Sequence, residues 1–231
     1  MKNSFICFCF VLFACSQSAP QYIGKQYLGA KYANDPLGEE IAPDSDPLIR
    51  FDAFDCTTFV ETALANGDKD LLTNIRYKDG KIGFLTRNHF IETDWIENNS
   101  SIVKNVNYKY IINPAARNVT IDKQKWFKQV HNLDTNIPKK TVKISYIPYS
   151  DVDNIKTSKP LIVLFIIDNP KIIDKIGSDL AVAHMGFLLP NGMLRHASSQ
   201  YGRVIDVDFQ EYVHERAKNK TDLGITLLEI R

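Results

Sequence analysis

Phe54-Asp55-Cys56-Thr57-Thr58-Phe59-Val60-Glu61-Thr62-Ala63-Leu64-Ala65-Asn66-Gly67 carries the start, body and stop of one helix. Asp55 has the short acceptor side chain that satisfies free N–H groups at a helix start. Phe59, Val60, Ala63 and Leu64 then share one apolar face, and Asn66-Gly67 supplies the left-handed stop. Cys56 therefore stands in the first turn. Unpaired N–H groups and the helix dipole favour a thiolate there, and the same groups can donate to an oxyanion during acyl transfer. A cysteine that merely fills the core belongs on the apolar stripe in mid-helix.

Outward from this helix, the first half reads helical and the second half mostly strand. A second helix is expected over residues 68–77, and a third including Phe90, Trp95 and Ile96. Strand-like runs follow at 102–112, 141–147, 161–167, 181–189, 193–198, 203–207 and 225–230, with helices near Trp126 and Val152 and over 209–216. The pattern predicts an α+β domain in which the helix of Cys56 packs on an antiparallel sheet. No linker, repeat or low-complexity stretch divides residues 21–231, which read as a single domain. The 44% hydrophobic and 24% charged shares are those of an ordinary globular chain, and the net charge of +1 gives no reason to expect nucleic acid as a partner. Recognition of the substrate then rests on shape and hydrogen bonds.

The N-terminus has the form of an export signal. Lys2 precedes an unbroken apolar run over residues 5–14, far shorter than the roughly 20 residues that span a bilayer. Leu12-Phe13-Ala14-Cys15 resembles a bacterial lipobox, although Phe13 is bulkier than the usual residue there. The resemblance implies a signal over residues 1–14, a lipid on Cys15 and a short tether over 15–20. Ser16 after the cysteine points to the outer membrane, facing the periplasm, in a Gram-negative host. A plain secretory signal cut near Ser18 or Ala19 is the other reading. Of four cysteines, Cys7 and Cys9 leave with the signal and Cys15 carries lipid, so Cys56 remains as a lone thiol in an oxidising compartment.

Five histidines compete as its base. His89 and His131 sit in helical stretches of mixed polarity and His214 on an amphipathic helix, so all three read as surface residues. His184 lies inside the apolar run Ala181-Val182-Ala183-His184-Met185-Gly186-Phe187-Leu188-Leu189, where a buried imidazole needs a partner. Ala183 and Gly186 beside it leave room for a helix to approach. His196 lies on the next strand, and Pro190-Asn191-Gly192 between them suits a three-residue hairpin with Gly192 left-handed. That register opposes Leu189 with Met193 and Gly186 with His196, making His184 and His196 diagonal neighbours on one face. A two-residue Asn-Gly turn would send them to opposite faces. Cysteine, histidine and second histidine form the sequence of nucleophile, base and orienting group. Zinc held by the same three residues is the rival arrangement, without a CxxC or HExxH motif to support it.

Phe54-Asp55-Cys56-Thr57-Thr58-Phe59-Val60-Glu61 resembles the nucleophile motif of the NlpC-type cell-wall peptidase superfamily. More closely, the chain resembles the N-acetylmuramoyl-L-alanine amidase-like family. Its matching pieces are Tyr27-Leu28-Gly29-Ala30-Lys31-Tyr32, the Cys56 motif, Arg87-Asn88-His89-Phe90 with Asp94-Trp95-Ile96, His184-Met185-Gly186-Phe187 and Arg195-His196-Ala197-Ser198. The resemblance covers nearly all of the chain beyond the signal. It implies a papain-like fold and hydrolysis of the amide joining N-acetylmuramic acid to L-alanine in peptidoglycan fragments. Cys56 then corresponds to the nucleophile, His184 to the base and His196 to the third member, with no cofactor or metal required.

Tyr32 matches a tyrosine that precedes the cysteine and would assist the oxyanion, or else pack as an aromatic. Arg87 would meet a substrate carboxylate through a bidentate contact, or else be a solvated surface residue. Asp55 flanks the site as the cap of its helix. Trp95 or Tyr32 would stack on a sugar face. Two other functions stay open: a γ-D-glutamyl-diamino-acid endopeptidase, and a muropeptide-binding lipoprotein without turnover.

Overall fold

A computed structural model of the chain describes residues 23–231, so the expected signal and the lipidation of Cys15 lie outside the described residues. In chain order the elements are β1 (Lys31–Tyr32), β2 (Ala53–Phe54), α1 (Cys56–Ala65), α2 (Lys69–Arg76), a π-helical turn (Ile91–Trp95) running into α3 (Ile96–Asn98), and β3 (Val103–Asn105). They continue as β4 (Ala115–Ile121), α4 (Lys123–His131), β5 (Lys140–Pro148), β6 (Leu161–Ile167), α5 (Lys171–Ile176), β7 (Val182–Leu188), β8 (Met193–Ser198), β9 (Arg203–Asp208), α6 (Phe209–Arg216) and β10 (Asp222–Ile230). One sheet runs β2-β1-β9-β8-β7-β6-β10-β5-β4, with β3 also on β10. Its pairings are antiparallel apart from β1 with β2. The expected α+β architecture is what the chain adopts.

All seven residues of β6 are buried, as a central strand covered on both faces requires. Alternation along β7 sorts the core. Met185 and Phe187 join Phe59 and Val60 of α1 in one apolar cluster, while Leu188 joins Phe165, Leu194, Phe209 and Val213 in another beneath α6. The helix of Cys56 and α6 thus cover opposite faces of the same strands.

Three departures from the sequence reading have local causes. The run at 102–112 is a three-residue strand followed by a 3-10 turn at Asn107–Lys109. The Asn107 side chain displaces the ladder there, donating to Ser145 O at 3.0 Å and accepting from Leu227 N at 2.8 Å. Strand β4, absent from the sequence reading, is polar and pairs along its length with β5 at the sheet end. Trp95 is fully buried and donates through Nε1 to Glu61 Oε1 at 3.0 Å, so it packs against α1 and has no face for a sugar.

Burial raises the Glu61 carboxyl to about 7, against the opposing influence of Arg76. An acid whose folded pKa exceeds its unfolded value of 4.5 contributes fully below that value and loses the contribution as pH rises through 7. The loss is on the order of 3 kcal/mol. Glu61→Gln keeps the acceptor for Trp95, and its melting temperature is expected to fall less than that of the parent between pH 5 and pH 8. Equal slopes in thermal melts of the two proteins would refute this.

Candidate active site

Cys56 is placed by the cap of its helix. Thr58 N donates to Asp55 Oδ1 at 2.8 Å while Asp55 N donates to Thr58 Oγ1 at 3.0 Å, closing a reciprocal box that fixes Cys56 as the first residue of α1. Cys56 is half-buried, with Thr57 Oγ1 3.9 Å from its sulfur. Strand β1 runs parallel beside β2 with Tyr32 opposite Phe54, which brings the Tyr32 phenol within electrostatic reach of the thiol.

The hairpin adopts the three-residue register. Leu189 N donates to Met193 O at 2.8 Å, Leu188 opposes Leu194 and Phe187 opposes Arg195, with Gly192 at φ 80°. The β7–β8 pairing stops at Phe187. Met185, in phase with Phe187 and Leu189, lies beyond that pairing, and its backbone is close enough to the Cys56 sulfur to counter part of the upward shift of the thiol. The Cys56 sulfur thus lies near the residue adjoining His184. Gly186 is small for a reason other than helix approach: a β-carbon there would lie 2.9 Å from His196 Cβ and 2.8 Å from the Arg195 carbonyl oxygen.

His184 Nε2 lies 2.7 Å from His196 Nδ1, with the rings edge to face. Two devices aim His184. A register shift between Phe165↔His184 and Ile166↔Val182 leaves Ala183 as a bulge directly before it. Just upstream, Glu92 Oε1 accepts from both Ala181 N, at 2.5 Å, and Val182 N, at 2.6 Å.

Burial dominates the electrostatics. It pushes the Cys56 thiol up to about 12, with Asp55 adding to the rise, and holds His184 well below its ordinary value, with His196 and Arg216 adding to the fall. His196 is lowered to about 4, again chiefly by burial. Both groups are held toward their neutral forms, against the thiolate that the helix start alone favours. Desolvation outweighs the helix terminus here.

The other singled-out residues have different surroundings. Arg87 is buried, with Nε and Nη2 on the two Glu39 carboxylate oxygens at 2.7 Å each, Nη2 on Asp44 at 2.6 Å and Nη1 on Asp35 at 3.4 Å. It ties the segment 35–44 to the domain; neither the expected substrate contact nor a solvated surface describes it. His89 and His131 are not surface residues either. They stack with Phe84, Trp126 and Phe127, and burial lowers His89 to about 3. His214 is exposed beside Asp153, as expected.

Zinc does not suit the histidine pair, since His184 Nε2 and His196 Nδ1 face one another at hydrogen-bond distance. A cavity of about 680 Å³ between residues 78–98 and 137–140 is lined by none of Cys56, His184 and His196.

A family model described as AmiA-like, N-acetylmuramoyl-L-alanine amidase-like, matches residues 22–222. The chain belongs to this amidase-like family. A Legionella pneumophila protein of the DUF1460 family shares its fold with a TM-score of 0.83 at 25% identity, covering 92% of this chain and 88% of its own. An N-acetylmuramoyl-L-alanine amidase from Bacteroides uniformis gives 0.71 at 25% identity, over 92% and 97% of the two chains. A Bacteroides fragilis protein provisionally named a xylanase gives 0.71 at 24% identity, over 91% and 100%, a likeness of fold alone. No curated protein matches.

In this amidase-like chain, three residues beside the histidines escaped the sequence reading. Glu92 braces the strand of His184, Tyr212 stacks 5.1 Å from the His196 ring, and Arg216 reaches the same wall from α6. Only the packing of α6 and the π-helical turn onto the sheet brings them here.

Proposed function

We propose that this protein is a cysteine amidase that hydrolyses the amide between N-acetylmuramic acid and L-alanine in peptidoglycan fragments, on a papain-like plan. The observation that carries the reading is the 2.7 Å contact of His184 with His196, on the strand against which the helix of Cys56 packs. His184 Nδ1 takes the thiol proton while Nε2 keeps its hydrogen for His196 Nδ1. The His196 proton then resides on Nε2, which is buried without a hydrogen-bond partner, so His196 acts as a neutral acceptor that fixes the ring of His184.

Because neither charged form is stable at rest, proton transfer accompanies attack. The sulfur bonds to the lactyl carbonyl carbon, its proton passes to His184, and the carbonyl pair moves to oxygen. The N–H groups at the start of α1 and the Tyr32 phenol, kept protonated by burial first and by Cys56 next, stabilise that oxyanion. Collapse breaks the C–N bond, and the imidazolium proton leaves with the amine of L-alanine. Water then attacks the thioester and gives its proton to neutral His184, releasing muramic acid and restoring the thiol. Asp55 caps the helix, and Arg87 takes no part.

Mass spectrometry of products from N-acetylmuramoyl-tripeptide tests the bond. The expected products are N-acetylmuramic acid and an intact tripeptide beginning with L-alanine. N-acetylmuramoyl-L-Ala-D-Glu plus free diamino acid would replace the amidase by a γ-D-glutamyl endopeptidase, and tight binding without products would make it a binding lipoprotein.

The proposal extends to location. Lipidation at Cys15 would hold the enzyme in the bacterial envelope, at the outer membrane facing the periplasm. Cys15→Ser is expected to move the protein out of the membrane fraction or block its maturation. Unchanged membrane association of that variant would remove the anchor from the proposal.

A further inference from the structure

Arginines near the core differ in how fully their donors are used. Arg87 holds three carboxylates, and Arg195 is bidentate to Asp206 at 2.7 Å per arm with Ile23 O as a third acceptor. Arg216 has one carboxylate, Asp222, at 3.0 Å, and its Nε is buried with no hydrogen-bond partner. A guanidinium presents five donors in a planar fork, so this one retains capacity for an anion. Its side chain is 21% exposed, which leaves it reachable from solvent.

Its position is next to the chemistry. The Arg216 guanidinium lies 5.1 Å from the Phe165 ring, and Phe165 opposes His184 across the sheet with the two rings 5.6 Å apart. Tyr212, 6.0 Å from the same guanidinium, stacks 5.1 Å from His196 and 6.2 Å from His184. The buried Tyr149 hydroxyl lies close to the Arg216 guanidinium, short of a well-aligned hydrogen bond with it or with any other group. Burial raises both phenols, Tyr149 to about 12, so each stays a hydrogen-bond donor.

We infer that Arg216, with the Tyr149 and Tyr212 hydroxyls, forms a carboxylate subsite that takes the free α-carboxylate on the second stem residue of a muropeptide. The inference rests on the amidase reading above. In a stem joined through the γ-carboxyl of D-glutamate, that α-carboxylate is the first free anion beyond the scissile amide. Two residues extend about 7 Å at most, which keeps it close to the histidine wall. Arg87 shows that one guanidinium in this fold holds several carboxylates at once. A bound carboxylate would also offset the positive charge that Arg216 directs at His184.

The test uses two probes, N-acetylmuramoyl-L-Ala-D-glutamate and its α-carboxamide, with binding measured by calorimetry on Cys56→Ala and on Cys56→Ala/Arg216→Gln. The acid is expected to bind the first variant about ten- to a hundredfold more tightly than the amide, the scale of hydrogen bonds to a charged group. Arg216→Gln should erase that preference while amide affinity stays within about threefold. Adding Tyr149→Phe to Cys56→Ala should weaken the acid alone by severalfold, which keeps the inference testable if the arginine variant fails to fold. Equal binding of both probes, or a preference that survives Arg216→Gln, would overturn the subsite, as would a Tyr149→Phe variant indistinguishable from its parent. If the acid is preferred but the active enzyme releases no muramic acid, the amidase reading fails and the subsite stands. Release of muramic acid without preference gives the converse.

Discussion

Cys56→Ala is expected to lower kcat for muropeptide hydrolysis by on the order of 10⁶-fold, the scale seen when a triad hydrolase loses its nucleophile. The expectation follows from the geometry: Cys56 is the free cysteine among the described residues, it opens α1, and α1 packs against the strand of His184. Alkylation supplies a second measurement on the same atom. With the thiol pushed up to about 12, the rate of Cys56 labelling by iodoacetamide should rise about tenfold per pH unit between pH 6 and pH 9. Mass spectrometry of the labelled peptide reads this directly. A plateau beginning below pH 7 would reveal a preformed thiolate and contradict the neutral resting pair. Residual turnover within tenfold of the parent in Cys56→Ala would remove the cysteine mechanism altogether.

His184→Ala is expected to cost about 10²–10⁴-fold in kcat, the usual contribution of positioned acid–base help. His196→Ala should cost less, since it leaves the base in place and removes only the acceptor that orients it at 2.7 Å. The pH profile should separate the two. Burial, His196 and Arg216 all hold His184 well below its ordinary value, so activity limited by its neutral form should persist below pH 6.5 and decline only once His184 protonates. Removing His196 takes away one of those influences, so the acidic limb of kcat should move upward in His196→Ala. An equal loss of activity in both variants, with no movement of that limb, would mean that His196 is merely a packing residue.

Much of the site is legible because its parts are local. Asp55, Cys56 and Asn66-Gly67 define a helix from its own ends, and the observed α1 has those bounds. The register of β7 with β8 follows from Pro190-Asn191-Gly192, and it alone puts His184 beside His196. The strand over Leu161–Ile167 is equally plain, because a continuous apolar run in a central sheet leaves few alternatives. Strand β4 was hidden by its polar, half-exposed alternation, and β1 and β2 by having two residues each.

The sequence by itself determined which side chains are candidates for the chemistry and how neighbours along the chain are phased, since caps, turns and periodicity act over a few residues. Tertiary structure decided their charge states and their company. The helix start favours a thiolate, but the core closing over Cys56 makes it a thiol, because desolvation depends on everything packed around an atom. Arg87 resembles a substrate ligand until Glu39, Asp44 and Asp35 arrive from some fifty residues away and occupy its donors. Arg216 resembles a helix-terminal surface residue until α6 lays it over Phe165, beside the histidines. Contacts between distant segments carry no local signature, and at this site they set both the electrostatics and the room left for a substrate.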